Sequence, residues 1–316
     1  MDEPDRPTDL PRRSWWGVLK RTVREFRRDN LTDWAAALTY YGVLSLFPGL
    51  VVLVSLLGIV GQSATQPLVD SLTQLAPGPV REILTEAVRG LQRNQGGAGI
   101  VAVVGLLAAL WSASGYVGAF MRASNAVYDV PEGRPFWKTV PIRLGVTVVT
   151  AALVAVSALA VVLTGPLAER VGALIGLEDV TVRVWDVAKW PVLVLVVVLI
   201  LAILYRASPN ARQSGLRWIS PGAVLAVVLW MLASAGFAAY VANFASYNKT
   251  YGVLAGVIVF LVWLWITNIA VLLGAEFDAE LERGRAIERG QPEGEEPFVP
   301  LRDTRKVRED ADTGLS

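Results

Sequence analysis

The stretch TYGVLAGVIVFLVWLWITNIAVLLGA, residues 250–275, runs for 26 residues without a charge, closed by Lys249 on one side and by Glu276 and Asp278 on the other. At about 1.5 Å of rise per residue, a helix of that length exceeds a bilayer hydrocarbon core of roughly 30 Å. It reads as a membrane-spanning helix. Upstream the apolar residues gather in the same way, at about 34–60, 100–121, 142–165, 184–205 and 218–243. Across 316 residues, 53% are hydrophobic and mean hydropathy is +0.47. A soluble domain of this size would be less apolar and would scatter such residues. The fold class expected is all-α: a polytopic membrane protein with six transmembrane helices.

Charge sets the orientation. Of the 29 Lys and Arg, 22 fall before the first span, around 122–143, in 206–217 or after the last span. The other side carries Arg81, Arg89, Arg93, Arg170, Arg183, Lys189 and Lys249. The positive-inside rule makes the rich side cytoplasmic, with both termini inside. The net charge of +1 conceals this asymmetry. No cleavable signal peptide is found, and the first span is expected to remain as an anchor.

Four further segments have a reading of their own. Residues 1–11 are acidic, contain proline and are expected to be disordered. Residues 12–29 space Trp15, Trp16, Leu19, Val23 and Phe26 as a helix does, with basic residues mostly between them. They predict an amphipathic helix on the membrane surface, Trp at headgroup level, with anionic lipid headgroups as partners. Residues 62–99 predict an extracytoplasmic helical hairpin, broken at Pro77-Gly78-Pro79, that caps or lids one mouth of the bundle. Residues 30–283 form the membrane domain, and 284–316, rich in Gly, Pro and charge, predict a disordered cytoplasmic tail.

The chain has no Cys and no His. Disulfides and thiolate or imidazole metal sites are thereby excluded, and so is the usual general base near neutral pH. There is no phosphate loop or dinucleotide fingerprint, so no enzyme activity, cofactor or nucleic acid partner is expected. Polar residues inside the spans are hydroxyls and amides, among them Thr39, Ser112, Tyr116 and Asn268, which more often glue helices than bind ligands. Pro48 removes one backbone bond, and Ser45 is placed to satisfy a freed carbonyl. The kink either serves packing or lines a cavity. Glu276 closes a helix C-terminus, where negative charge is unfavourable. It predicts a tertiary partner from Arg122, Arg143, Arg206 or Arg217, or else a reach to solvent. Tyr40, Ser45, Pro48, Arg122, Asn125, Arg206, Asn243, Tyr251, Asn268 and Glu276 are the candidate functional positions.

Ala37-Leu38-Thr39-Tyr40-Tyr41 with Ser45-Leu46-Phe47-Pro48, then Leu204-Tyr205-Arg206, Pro221-Gly222 and Tyr251-Gly252 through Trp263 to Gly274-Ala275-Glu276, resemble the YihY/BrkB family of bacterial membrane proteins. The likeness covers about residues 15–282. It implies a six-helix plasma-membrane protein, in a family linked to serum resistance and to lipid or lipopolysaccharide export. The ribonuclease BN label that travels with the family gains no support from a chain without His or a metal cluster. The expected function is transport of a lipid-like or small hydrophobic substrate, with membrane lipids as partners and an oligomer compatible with it. The alternative is a scaffold that recruits partners at the cytoplasmic face.

Overall fold

The computed structural model describes residues 12–60, 98–162, 179–213, 220–243 and 248–312. The expected hairpin at 62–99 falls almost wholly outside them, as do residues 1–11. The described chain forms eight helices. A short basic helix comes first, α1 (Arg12–Arg28). Six long helices follow: α2 (Leu31–Val60), α3 (Ala98–Val127), α4 (Phe136–Val162), α5 (Asp179–Ala207), α6 (Pro221–Asn243) and α7 (Asn248–Glu288). A last helix, α8, spans Arg305–Asp312. Among the described residues there is no strand, only an isolated antiparallel bridge between Ala211 and Leu301.

Each long helix packs against its neighbours in sequence, and α7 returns to α2, so the six close a ring. Among the described residues, four segments are long and apolar enough to cross a membrane: Phe136–Ser157, Val187–Ala207, Pro221–Val241 and Ala255–Glu288. Their outward faces are apolar: Val154, Val156, Trp190, Leu195, Leu232 and Ile258 are all exposed. Such a surface is stable against lipid tails and not against water. Inside, Leu38, Phe120, Leu272 and Ala275 are buried, and the rings of Phe120 and Tyr205 stack.

Helix ends follow local chemistry. Ser220 caps α6, its Oγ accepting from Ala223 N at 3.0 Å, and Pro221 takes the first helical position, where a missing N–H costs nothing. The sequence had suggested a start near Trp218. α3 ends with Asp129 in the left-handed region, φ 50°. There Val130 N donates to Asn125 O and Asp129 N to Ala126 O, the double bond of a Schellman cap that more often uses glycine. Gly222 and Gly274 bring α6 and α7 into backbone contact: a Cβ on either would overlap the other's carbonyl oxygen.

Two expectations are corrected. α1 does not simply lie on a surface. One side docks on the end of α7: Val18 and Arg21 are buried there, Trp15 packs near Phe277, and Arg21 pairs with Glu280 at 2.5 Å. Trp16, Leu19 and Val23 stay exposed on the other side. The tail is not disordered between 289 and 312. α7 continues to Glu288, Gly290 (φ 94°) turns the chain, and residues 298–303 return across the basic face. Phe298 and Val299 are buried, with Phe298 stacked on Tyr128 and under the Arg283 guanidinium. Composition pointed to disorder, but two apolar side chains and a row of backbone bonds suffice to hold the strap.

Candidate functional site

Asn268, on α7, is 1% exposed, and both ends of its amide are used across helix boundaries. Its Nδ2 donates to Thr39 Oγ1 on α2 at 3.1 Å, and its Oδ1 accepts from Tyr116 OH on α3 at 2.9 Å. Thr39 donates in turn to Ala35 O at 2.8 Å. One turn outward, Ser112 Oγ of α3 donates to Leu44 O at 3.2 Å. That carbonyl is the one Pro48, lacking an N–H, leaves without its helical partner. The sequence had assigned this service to Ser45, whose hydroxyl instead donates to Gly42 O at 2.8 Å. The freed group is met from the next helix, a partner that sequence spacing does not reveal.

This polar seam continues toward the basic end. Arg122, exposed, sets its guanidinium over the Tyr41 ring at 5.9 Å from the centroid. Tyr40 meets Tyr41 edge-on and is 61% exposed, on the outside of the bundle. Gly42 and Gly115 lie against Tyr116 and Tyr41 and leave room for the rings. From Ser112 to Arg122 the strip climbs about 15 Å, half a hydrocarbon core.

The inner ends of the helices hold a second polar layer. Tyr205 OH donates to Val271 O at 2.5 Å. Asp278 Oδ1 accepts from Gly222 N at 2.7 Å and Oδ2 from Ser220 Oγ at 2.5 Å, tying α7 to the start of α6. Glu276 is 1% exposed, and its Oε2 has no hydrogen-bond partner. The charges that bear on it are Asp29, Glu280, Glu25 and Asp129. Glu276 does not reach solvent and, among the described residues, pairs with none of Arg122, Arg143 and Arg206; Arg217 lies outside the described residues. Arg122 and Arg143 are spent on aromatic rings, Tyr41 and Trp111, and the nearby bases Arg21 and Arg283 go to Glu280 and Asp129. Asp29, in the turn between α1 and α2, is pushed up to about 7 by burial, then by Asp129 and Glu25.

Asn125 joins a third cluster. It is buried, accepts from Asn210 N at 2.7 Å and donates to Glu132 at 3.0 Å. Glu132 takes a forked pair of contacts from Arg134 at 2.7 Å, which holds its carboxyl below the usual range despite burial. Asn210 also receives the tail, donating to Asp303 O at 2.9 Å and accepting from Asp303 N at 3.1 Å. Arg206 stands exposed at the end of α5, its carbonyl accepting from Arg302. The side chains of Pro48, Asn243 and Tyr251 lie outside the described residues. Thus Asn268 and Asn125 organise clusters, Arg122 flanks the seam, Tyr40 faces outward, and Ser45 serves its own helix. Thr39, Tyr116 and Ser112 are further members of the seam, missed as site residues because hydroxyls in spans are so often packing glue. Asn210 carries no sequence signal beyond its place in the basic segment 206–217.

An all-helical ring with an apolar exterior and buried amide contacts defines a polytopic membrane protein. The family model described as virulence factor BrkB matches residues 22–298, and the chain belongs to that family. A Bacillus subtilis (strain 168) protein named ribonuclease-like YfkH is 33% identical over 262 residues, 82% of this chain and 92% of that one. A UPF0761 membrane protein of Alkalilimnicola ehrlichii is 32% identical over 272 residues, 82% of this chain but 57% of its own length. One from Alteromonas mediterranea is 28% identical over 294 residues, covering 88% of this chain and 91% of that one. The chain thus spans only a little over half of some relatives. No solved structure matches. The multi-pass location in a bacterial membrane follows from the family and the apolar helices together.

Proposed function

We propose that this protein moves an amphipathic, lipid-like substrate across the plasma membrane, without catalysing a reaction. The polar seam on α2, α3 and α7 carries the reading. Its buried centre, Asn268 with Tyr116 and Thr39, holds three helices together, while its half-buried and exposed ends, Ser112 and Arg122, present a hydroxyl and a guanidinium along one side of the bundle. Beside it, Tyr40 and Leu44 face the lipid. A headgroup following that strip exchanges water for fixed donors, while its chains stay among lipid tails. That lowers the desolvation cost that otherwise keeps headgroups in their leaflet.

The exposed Trp16, Leu19 and Val23 of α1, with Lys20, Arg24 and Arg27, fit contact with anionic headgroups at the same end. The scaffold alternative draws on this face too, although the strap's many anchors leave less free chain for a partner. For a nuclease, the supporting feature would be a carboxylate cluster able to hold a metal; among the described residues no such group occurs.

The test is reconstitution into liposomes with fluorescent phospholipid, scored for protein-dependent movement between leaflets. The expected result is movement with the native chain and a severalfold loss with Asn268→Leu at equal folded protein. Absence of movement with folded native protein would overturn the translocation reading.

A further inference from the structure

At the inner end of α5 two hollows open side by side. One, of about 500 Å³, lies between the end of α7 and the returning tail and is lined by Arg212, Arg285, Arg289 and Glu282, among others. The other, of about 600 Å³, is lined by Arg206, Arg212 and Arg302 above Ile203. They share Arg212 and Gln213 and so form one trough. Among the described residues its lining holds five arginines and a single carboxylate, Glu282, which stands 3.8 Å from Arg285. Arg302 donates to the carbonyls of Ala211 and Arg206, and the cations that bear on it, Arg134 and Arg206, repel it. Arg212 and Arg289 are exposed.

A concave surface with this excess of positive charge attracts an anion. Several guanidinium forks that converge favour an anion with three or more acceptor oxygens over a single carboxylate. The position adds to this. Arg206 lies in the last turn of the apolar segment Val187–Ala207, and Ile203, one turn deeper, forms the apolar floor. The trough therefore lies where hydrocarbon gives way to headgroups. We propose that it is a binding site for a phosphate ester, held chiefly by Arg212 and Arg289 in the field of the other three arginines. A membrane lipid and a soluble phosphate share this chemistry. The site requires no passage across the bundle, so it stands or falls separately from translocation.

The test is native mass spectrometry of the full chain in detergent, titrated with phosphatidylglycerol and, as a zwitterionic reference, phosphatidylcholine. Glycerol phosphate is the soluble arm. The native chain is expected to prefer phosphatidylglycerol. The double variant Arg212→Gln/Arg289→Gln is expected to lower its occupancy by about fivefold or more, as loss of charge-assisted contacts requires. Lys306→Gln/Arg308→Gln, exposed on α8 and outside the trough lining, is expected to leave it unchanged. If glycerol phosphate displaces the lipid, the phosphate alone is recognised. If it does not, the chains contribute over Ile203. Either result supports the site. Should the double variant not fold, Arg212→Gln alone is read in the same way. Equal binding of the two lipids, or undiminished phosphatidylglycerol on a folded trough variant, would overturn the proposal.

Discussion

A buried carboxylate without a donor is destabilising, and more so beside other carboxylates. Glu276 is buried with its Oε2 unsatisfied, so its neutral isostere is expected to help. Glu276→Gln is expected to raise stability by on the order of 1–3 kcal/mol, the cost of an unsatisfied buried polar group. Thermal unfolding in detergent checks this, and a clear loss of stability would reveal a partner that the fold does not show. Asp29 supplies a pH dependence. Its carboxyl, pushed up to about 7, keeps its proton in the folded state after the unfolded chain has lost its own near pH 4. Its contribution is therefore full below about pH 4 and is lost as pH rises through about 7. Asp29→Asn, always neutral, is expected to gain stability over the native chain between pH 5 and pH 8. A gap that narrows with rising pH would contradict this assignment.

Elements make contact through positions without side chains as much as through large ones. Gly222 and Gly274 let α6 and α7 touch, and Asp278 then reaches the Gly222 N–H. Gly222→Val is expected to force these helices apart and cost several kcal/mol, on the order of severe overpacking. Loss of folded yield or melting temperature reports it, and a native-like melt would show that the contact is not needed. The long helices were legible because an apolar run of 20 or more residues has one stable use in a cell. Pro221-Gly222 and Gly274 were legible as parts of a family pattern, but not as one contact, since nothing in a linear pattern says which glycines meet. The docking of α1 on α7 escaped for a related reason. Its buried side carries Arg21, Thr22 and Glu25, polar residues that a periodicity argument places in solvent. The pairing of Arg21 with Glu280 makes them tolerable inside.

For the whole molecule, ring closure brings α1, the strap and the inner ends of the long helices together on one basic face. Asn210 links that face, holding Asn125, Pro131 and Asp303 at once, while Lys138 pairs with Asp303 at 2.6 Å. Asn210→Ala is expected to release the strap and make the segment after Gly290 a site of rapid limited proteolysis, with the bundle intact. Unchanged cleavage would place the anchor elsewhere. The strap itself was illegible because many of its anchors are backbone groups, which composition does not record, and two buried apolar side chains, Phe298 and Val299, are too few to stand out in a polar tail.

The seam, the trough and the docked helix owe their meaning to which side of the membrane this face occupies. The chain has no cysteine, so single cysteines can be placed at will. The most direct measurement is labelling of Arg81→Cys, Arg170→Cys, Arg212→Cys and Arg308→Cys in intact cells by an impermeant maleimide. Six crossings predict that Cys at 81 and 170 reacts from outside, whereas Cys at 212 and 308 reacts only after permeabilisation. Reaction of 212 and 308 from opposite sides, or of both from outside, would contradict the account.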